Sequence, residues 1–226
     1  KNNKKYVVFM TKQGLIKKTL LEEYTQTKRS TGIAAIKLKE GDSIANIELM
    51  NEEHKNILRI IKVVRKVCFN IMKGTEINYK DLEDIIEFIR NYADSHHHKK
   101  EEDILFNRIT ENLGQLGEKL VKHGMLVEHD YGRLYISNLV EAIEKVKGGD
   151  EEAKLDIIAN AISYTHLMER HIDKEDRVVY TFAERNLKEN ILDEINSECL
   201  KFEDDNETVK NKYLEILSKL EAKYIM

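Results

Sequence analysis

Two short stretches of this chain carry residues able to hold and activate a small ligand. HHHKKEEDILF spans residues 96–106 and HIDKEDRVVY spans 171–180. Aligned on Lys-Glu-acid, His97 and Glu101 fall on His171 and Glu175. An acid follows each Glu (Glu102, Asp176), and Ile104-Leu105-Phe106 falls on Val178-Val179-Tyr180. Positions i and i+4 share one face of a helix, so each stretch turns one imidazole and one carboxylate to the same side, above an apolar continuation. Upstream, Glu53-His54 precedes His97 by 43 residues and Glu128-His129 precedes His171 by 42. The chain therefore repeats one unit: a helix with a lone inward His, then a helix with His-x-x-x-Glu. Four such helices closing on one another would gather His54, His97, Glu101, His129, His171 and Glu175. A mixed set of imidazoles and carboxylates suits iron or manganese, and here a non-haem iron pair with the two Glu as bridges. A buried Glu is costly unless paired or metal-bound, which makes Glu101 the most informative carboxylate of the first unit.

The remaining histidines need sorting. His98 has Glu102 at i+4 but lies about 100° round an α-helix from His97. It is either an additional metal ligand or a hydrogen-bond partner of one. His96 is read as solvent-exposed. His166, five residues before His171 and about 140° off in phase, is a weaker candidate for the same two roles as His98. Tyr164 is read as a core aromatic.

The pieces EEH at 52–54, ADSHHHKKEEDILF at 93–106, VEHDYGR at 127–133 and RHIDKEDRVVY at 170–180 resemble the hemerythrin-like (HHE cation-binding) proteins. The resemblance covers about residues 46–188. It implies an up-down four-helix bundle around two iron ions, oxo- or hydroxo-bridged, that meet O2, NO or peroxide as small ligands. Oxygen-carrying members use five His and two bridging carboxylates. With four His assigned here, the fifth is His98 or, behind it, His166. Oxidant sensing, oxidant scavenging and iron donation in iron–sulfur cluster repair are the functions the resemblance offers.

The elements that must position these groups follow from periodicity and punctuation. The fold class is mainly α: a four-helix bundle with a small N-terminal β-sheet unit and an extra C-terminal helix, divided at residues 1–47, 48–188 and 189–226. The first helix runs over about 46–73 and stops at Gly74. The second starts near Asn78, a good N-cap, and continues to about 112, with Leu82, Ile86, Ile89, Ala93, His97 and Glu101 inward. Three Gly within 113–124 suggest a loop or irregular entry. The third helix carries His129, Gly132, Ile136 and Leu139 on one face and ends at Gly148-Gly149. The fourth begins near Asp150 as cap, with Tyr164, Met168, His171, Glu175, Val178 and Phe182 inward. Residues 190–226 read as one or two helices interrupted at 202–208. They pack on the bundle, dock the N-terminal sheet or join two copies as a homodimer.

Residues 6–49 read instead as strands, with turns at Gln13-Gly14 and Glu40-Gly41-Asp42. VFMTKQGLIKKT and GIAAIKLKEGDSI resemble one blade of the C-terminal β-pinwheel domain of DNA gyrase, whose several blades form a DNA-wrapping ring. One blade cannot close such a ring. Residues 1–47 hold ten basic and four acidic residues, net +6 in a chain of net −4, which leaves −10 on the remainder. Lys17, Lys18 and Arg29 are read as phosphate contacts to DNA or as solvated charges on a small docking sheet. The 226 residues include no apolar run of about eighteen, so no membrane span is expected. Cys68 and Cys199 form no Cys-x-x-Cys, which fits a reducing cytoplasm and excludes a zinc-finger set. No Gly-rich phosphate loop or nucleophile–base pair supports transferase or hydrolase chemistry.

Overall fold

Apolar, β-branched and aromatic residues near the N-terminus form two strands, β1 (Tyr6–Met10) and β2 (Ile16–Leu20), in a computed structural model that describes residues 6–10, 16–20 and 48–225. The strands pair antiparallel, from Tyr6 opposite Leu20 to Met10 opposite Ile16. Lys17 and Lys18 lie on β2, opposite Phe9 and Val8. Arg29 and the second expected strand pair lie outside the described residues. The chain divides into two units, Lys1–Glu48 and Leu49–Met226, and the second is mainly helical.

Its first column is α1 (Glu48–Met72), which ends before Gly74, a left-handed residue at φ 84°. The second opens at Asn78, whose side chain accepts the Asp81 backbone N–H at 3.0 Å as the capping argument requires. It runs as α2 (Tyr79–Phe88), widens into π-helical turns at Ile89–His98 and Glu101–Phe106, and closes as α3 (Asn107–Asn112). The third is α4 (Gly114–Leu120), a π-turn at Val121–Met125 and α5 (Leu126–Lys147). The fourth begins with a 3-10 turn at Glu151–Ala153. It continues as α6 (Lys154–Lys174), a π-turn at Glu175–Val179 and α7 (Tyr180–Asn186). A long helix, α8 (Glu189–Tyr224), packs against α2 and the π-turns of the second column. Ile57 and Ile61 of α1, Ile85 of α2, Leu139 of α5, Met168 of α6 and Leu217 of α8 share one hydrophobic core. Packing of these apolar stripes, more than intrinsic propensity, holds such helices.

Three expectations change and one narrows. Of the loop or irregular entry expected at 113–124, the structure has the irregular entry: the turn is confined to Leu113-Gly114, helix resumes at once, and the π-turn at Val121–Met125 follows. Gly114 takes φ 60°. Gly117 permits a close approach, since a Cβ there would lie 2.7 Å from the Ile109 carbonyl oxygen. Val121 and Met125, both buried, continue the i, i+4 stripe to His129. Asp150 precedes the fourth column as expected, but its side chain makes no capping bond. Val178 is 49% exposed while Val179 is fully buried: the π-turn after Glu175 inserts a residue and shifts the inward phase by one. The break expected at 202–208 does not occur. α8 is one helix of 36 residues, its charged outer face solvated and its inner face carrying Cys199, Glu203 and Tyr213. Among the described residues, no helix is long and apolar enough to cross a membrane.

Candidate metal centre

The two π-turns that start at Glu101 and at Glu175 occupy equivalent places in the two repeats. π-turns concentrate at functional sites, and here each delivers a carboxylate to the middle of the bundle. Two groups of possible ligands result. In one, single atoms of His98, Glu101, His129 and His171 all lie within 4.8 Å of one another. In the other, atoms of His54, His97, Glu101 and Glu175 do so. Glu101 belongs to both. Glu175 also reaches both: its Oε1 is 3.1 Å from His171 Nε2 and its Oε2 is 3.3 Å from His54 Nε2. The Nε2 atoms of His129 and His171 are 3.0 Å apart, so those rings aim at one point.

All seven residues are buried. His97 Nε2, Glu101 Oε2 and both Glu175 carboxylate oxygens have no hydrogen-bond partner among the described residues. An unpaired buried polar atom costs about 1–3 kcal/mol. Four converging on one another would be a large penalty in an otherwise well-packed core. A pair of cations fits this set: acceptor atoms of imidazole and carboxylate, no thiolate, and two carboxylates each within reach of both positions.

A surrounding layer of acids fixes the rings. Nδ1–H donates to Glu53 from His97 at 2.8 Å and to Glu128 from His171 at 2.9 Å. It donates to Glu102 from His129 at 2.6 Å and to Asp176 from His54 at 2.7 Å. His98 turns its Nδ1 toward Asp94, 3.4 Å away. A carboxylate on Nδ1 settles the tautomer and leaves Nε2 free to bind a metal. The layer follows the duplication with a crossover. Glu53 and Glu128 serve the His-x-x-x-Glu histidine of their own repeat, whereas Glu102 and Asp176 serve the lone histidine of the other. Lysines stand behind two of these acids: Lys174 on Glu128, and Lys100 on Glu53 at 2.6 Å. Here the symmetry breaks. Lys174 is partly exposed, but Lys100 is completely buried and also donates to Glu203 of α8 at 2.5 Å. His96 completes that cluster, its Nε2 3.0 Å from Glu53 and 3.1 Å from Glu203.

The electrostatics follow from burial against this crowd of carboxylates. Burial opposes charging His54, but its bond to Asp176 and the nearby Glu175 carboxylate outweigh that and raise it to about 10. Burial likewise opposes charging His171, and the Glu175 charge and the Glu128 bond raise it to about 10. His98 goes the other way, held well below the usual imidazole value by burial and by the charge of His129. The two central carboxyls part company: burial and the Glu175 charge raise Glu101, while the neighbouring imidazoles of His171, His129 and His54 overcome burial and hold Glu175 low.

All six residues singled out in the sequence are brought together. His98 joins them: a π-turn spreads successive residues over a smaller arc than the α-helical 100°, so His97 and His98 both face inward. Its ring stacks on His129 with centroids 3.9 Å apart. His166 does not join; it is exposed, with Nε2 3.0 Å from an Arg65 guanidinium nitrogen. His96 is buried rather than exposed, because α8 covers it with Phe202 and Glu203. Sequence reasoning missed Tyr180, whose hydroxyl donates to Glu101 Oε1 and lies 3.3 Å from His54 Nε2. Its only signal was a Tyr aligned with Phe106. The orienting acids did leave a signal, the repeated Glu-His and Glu-acid pairs.

The hemerythrin HHE cation binding domain family matches residues 45–183. The DNA gyrase C-terminal domain, beta-propeller, family matches residues 5–49. No curated protein and no solved structure matches the chain.

Proposed function

Because the chain belongs to the hemerythrin HHE cation-binding family, we propose that it is a non-haem diiron protein that binds or senses O2, NO or another oxidant. On this reading the four columns are the family's up-down four-helix bundle over residues 48–188, and 189–226 is an added helix. The observation that carries the proposal is the sharing of Glu101 and Glu175 between two groups of imidazoles, with unpartnered atoms turned toward one another. His98, His129 and His171 would hold one iron and His54 and His97 the other, with both carboxylates shared. Five His and two carboxylates is the number that oxygen-carrying members use. When bound as a ferrous pair, the metal supplies electrons and an open coordination position to a small oxidant.

The protein's own contribution is positional. Carboxylates on Nδ1 hold each imidazole in the tautomer that presents Nε2. The group with two imidazoles has the fewer protein ligands and so the more room for an incoming molecule. Tyr180 stands on that side with a hydroxyl already committed to Glu101, which keeps this carboxylate from swinging away. Phe106 packs on the His129 ring and Tyr180 on the His54 ring, both fully buried.

Iron content and an optical titration from anaerobic to aerobic conditions test the reading. Two irons per chain, with near-ultraviolet and visible bands that respond to air, are expected. Reversible colour favours oxygen binding, and rapid conversion to a stable diferric spectrum favours sensing or scavenging. Glu101→Ala and Glu175→Ala should each lose metal while remaining helical by circular dichroism. His98→Ala should lower the iron count and His166→Ala should not. Absence of iron after reconstitution would overturn the proposal. A second reading, a DNA-associated redox sensor, draws on the gyrase-type match and the basic N-terminal segment. It predicts salt-sensitive retention on duplex DNA, and no retention at low salt would remove it.

A further inference from the structure

Beside the metal centre, against the His98 and His129 rings, lies a cavity of about 210 Å³ whose rim includes Arg90, Asp94 and Arg133. Its walls are largely apolar, from Ile89, Ile136, Gly132 and the Tyr164 ring. Buried Tyr164 also lines it, and its hydroxyl has no hydrogen-bond partner among the described residues. Asp94 contributes to raising the Tyr164 hydroxyl above its usual range, after burial, which puts that hydroxyl within electrostatic reach of the cavity's acid. At the mouth are two guanidinium groups. Arg133 is committed to Asp94 at 2.8 Å and Glu102 at 2.7 Å. Exposed Arg90 has no carboxylate partner among the described residues. Arg133 is thus shared between two acids, and Arg90 is the rim cation left to meet an incoming anion.

Size narrows the occupant. A dry cavity of about 150 Å³ accepts benzene, and drug-sized ligands need about 300–1,000 Å³. This cavity suits one substituted ring and excludes a nucleotide. The polar groups narrow it further: an exposed cation, Arg90, and a buried, unpartnered hydroxyl donor, Tyr164. We propose that the cavity binds a monocyclic carboxylate, with the carboxylate on Arg90, the ring between Ile89 and Ile136, and an oxygen acceptor at the far end of the ring taking the Tyr164 hydroxyl proton in a hydrogen bond. Such a molecule would lie against the His98 and His129 rings without replacing any residue of the metal centre.

Calorimetric titration of the iron-loaded protein with 4-hydroxybenzoate and with benzoate tests this. Saturable one-site binding of both is expected, with 4-hydroxybenzoate tighter by about 5–10-fold, the value of one hydrogen bond. Tyr164→Phe removes a hydroxyl that has no partner, so the variant should fold, and it should erase the difference between the two probes. Arg90→Gln, at an exposed position, should weaken both by about 10-fold, as expected for loss of a charge-assisted contact. Neither substitution should change the iron count, so failure here is separate from failure of the metal assignment. Absence of saturable binding by either probe would overturn the proposal. So would binding that vanishes with the metal yet ignores both substitutions, because the carboxylate would then sit on iron.

Discussion

Lys100 and Lys174 occupy the same position in the two repeats and bind equivalent acids, yet their surroundings predict very different energetics. Lys100 is 0% exposed, with Glu53 1% exposed and Glu203 9% exposed. Replacing it with Met preserves most of the aliphatic volume but leaves two buried carboxylates facing each other. Stripping one partner from a buried ion pair costs about 3–5 kcal/mol. His96, between the two acids and raised by its bonds to Glu203 and Glu53 despite burial, and Lys210, 2.7 Å from Glu203, retain some compensation. The lower end, about 3 kcal/mol, is therefore expected. For a domain of this size each kcal/mol moves the midpoint by about 2–4 °C, so Lys100→Met should lower Tm by roughly 6–12 °C. Lys174 is 39% exposed and its partner Glu128 is 22% exposed. A partly solvated pair contributes at most about 1 kcal/mol, so Lys174→Met should lower Tm by no more than about 4 °C. Thermal unfolding followed by circular dichroism at low and high salt reads both numbers. Salt should erase the Lys174 effect and spare the Lys100 effect, because buried pairs are poorly screened. Equal, small and salt-sensitive shifts would refute the argument that α8 seals a charged cluster.

Other outcomes follow from the same geometry. Gly117→Ala should destabilise by about 1–3 kcal/mol, because the new Cβ meets the Ile109 carbonyl oxygen, whereas Gly124→Ala, with open space around it, should stabilise slightly; chemical denaturation separates them. Burial pushes the Cys68 thiol up from 9.0 to about 11. A group bound more tightly to its proton in the folded state contributes stability below its unfolded value and loses it as pH rises through the folded one. Urea unfolding should therefore show a loss between pH 9 and 11, up to about 2–3 kcal/mol, that is absent in Cys68→Ala. A thiol reagent at pH 8 should leave folded Cys68 and Cys199 unmodified, since both are buried.

The duplication was legible because it is written in residue types that few other contexts require. His54, His97, Glu101, His129, His171 and Glu175 recur at matched separations, and mutual recurrence rather than any single residue identified them. His98 was ambiguous for a geometric reason: sequence reading assumes α-helical phase, and this column is π-helical at Ile89–His98. The same assumption turned Val178 inward in place of Val179. His96 was misread because its cover comes from Glu203 and Phe202, more than a hundred residues away and outside the repeat. The stretch at 113–124 read as loop or irregular entry because composition counts its three Gly alike. Structurally, Gly114 makes a turn, Gly117 permits a close contact and Gly124 has open space around it.

The crossover in the outer acids has a further consequence. Glu102 steadies His129 and Asp176 steadies His54, so each hairpin lacks the group that orients its own lone imidazole. One hairpin alone has ligands for a metal but cannot aim all of them. Two separate hairpins would have to find each other, and assembly of the centre would then depend on protein concentration. The covalent connection through α4 makes that encounter intramolecular and replaces bulk concentration with a high local one. Gene fusion of two such hairpins would therefore do more than double the ligands: it would make the centre's integrity independent of how much protein the cell contains.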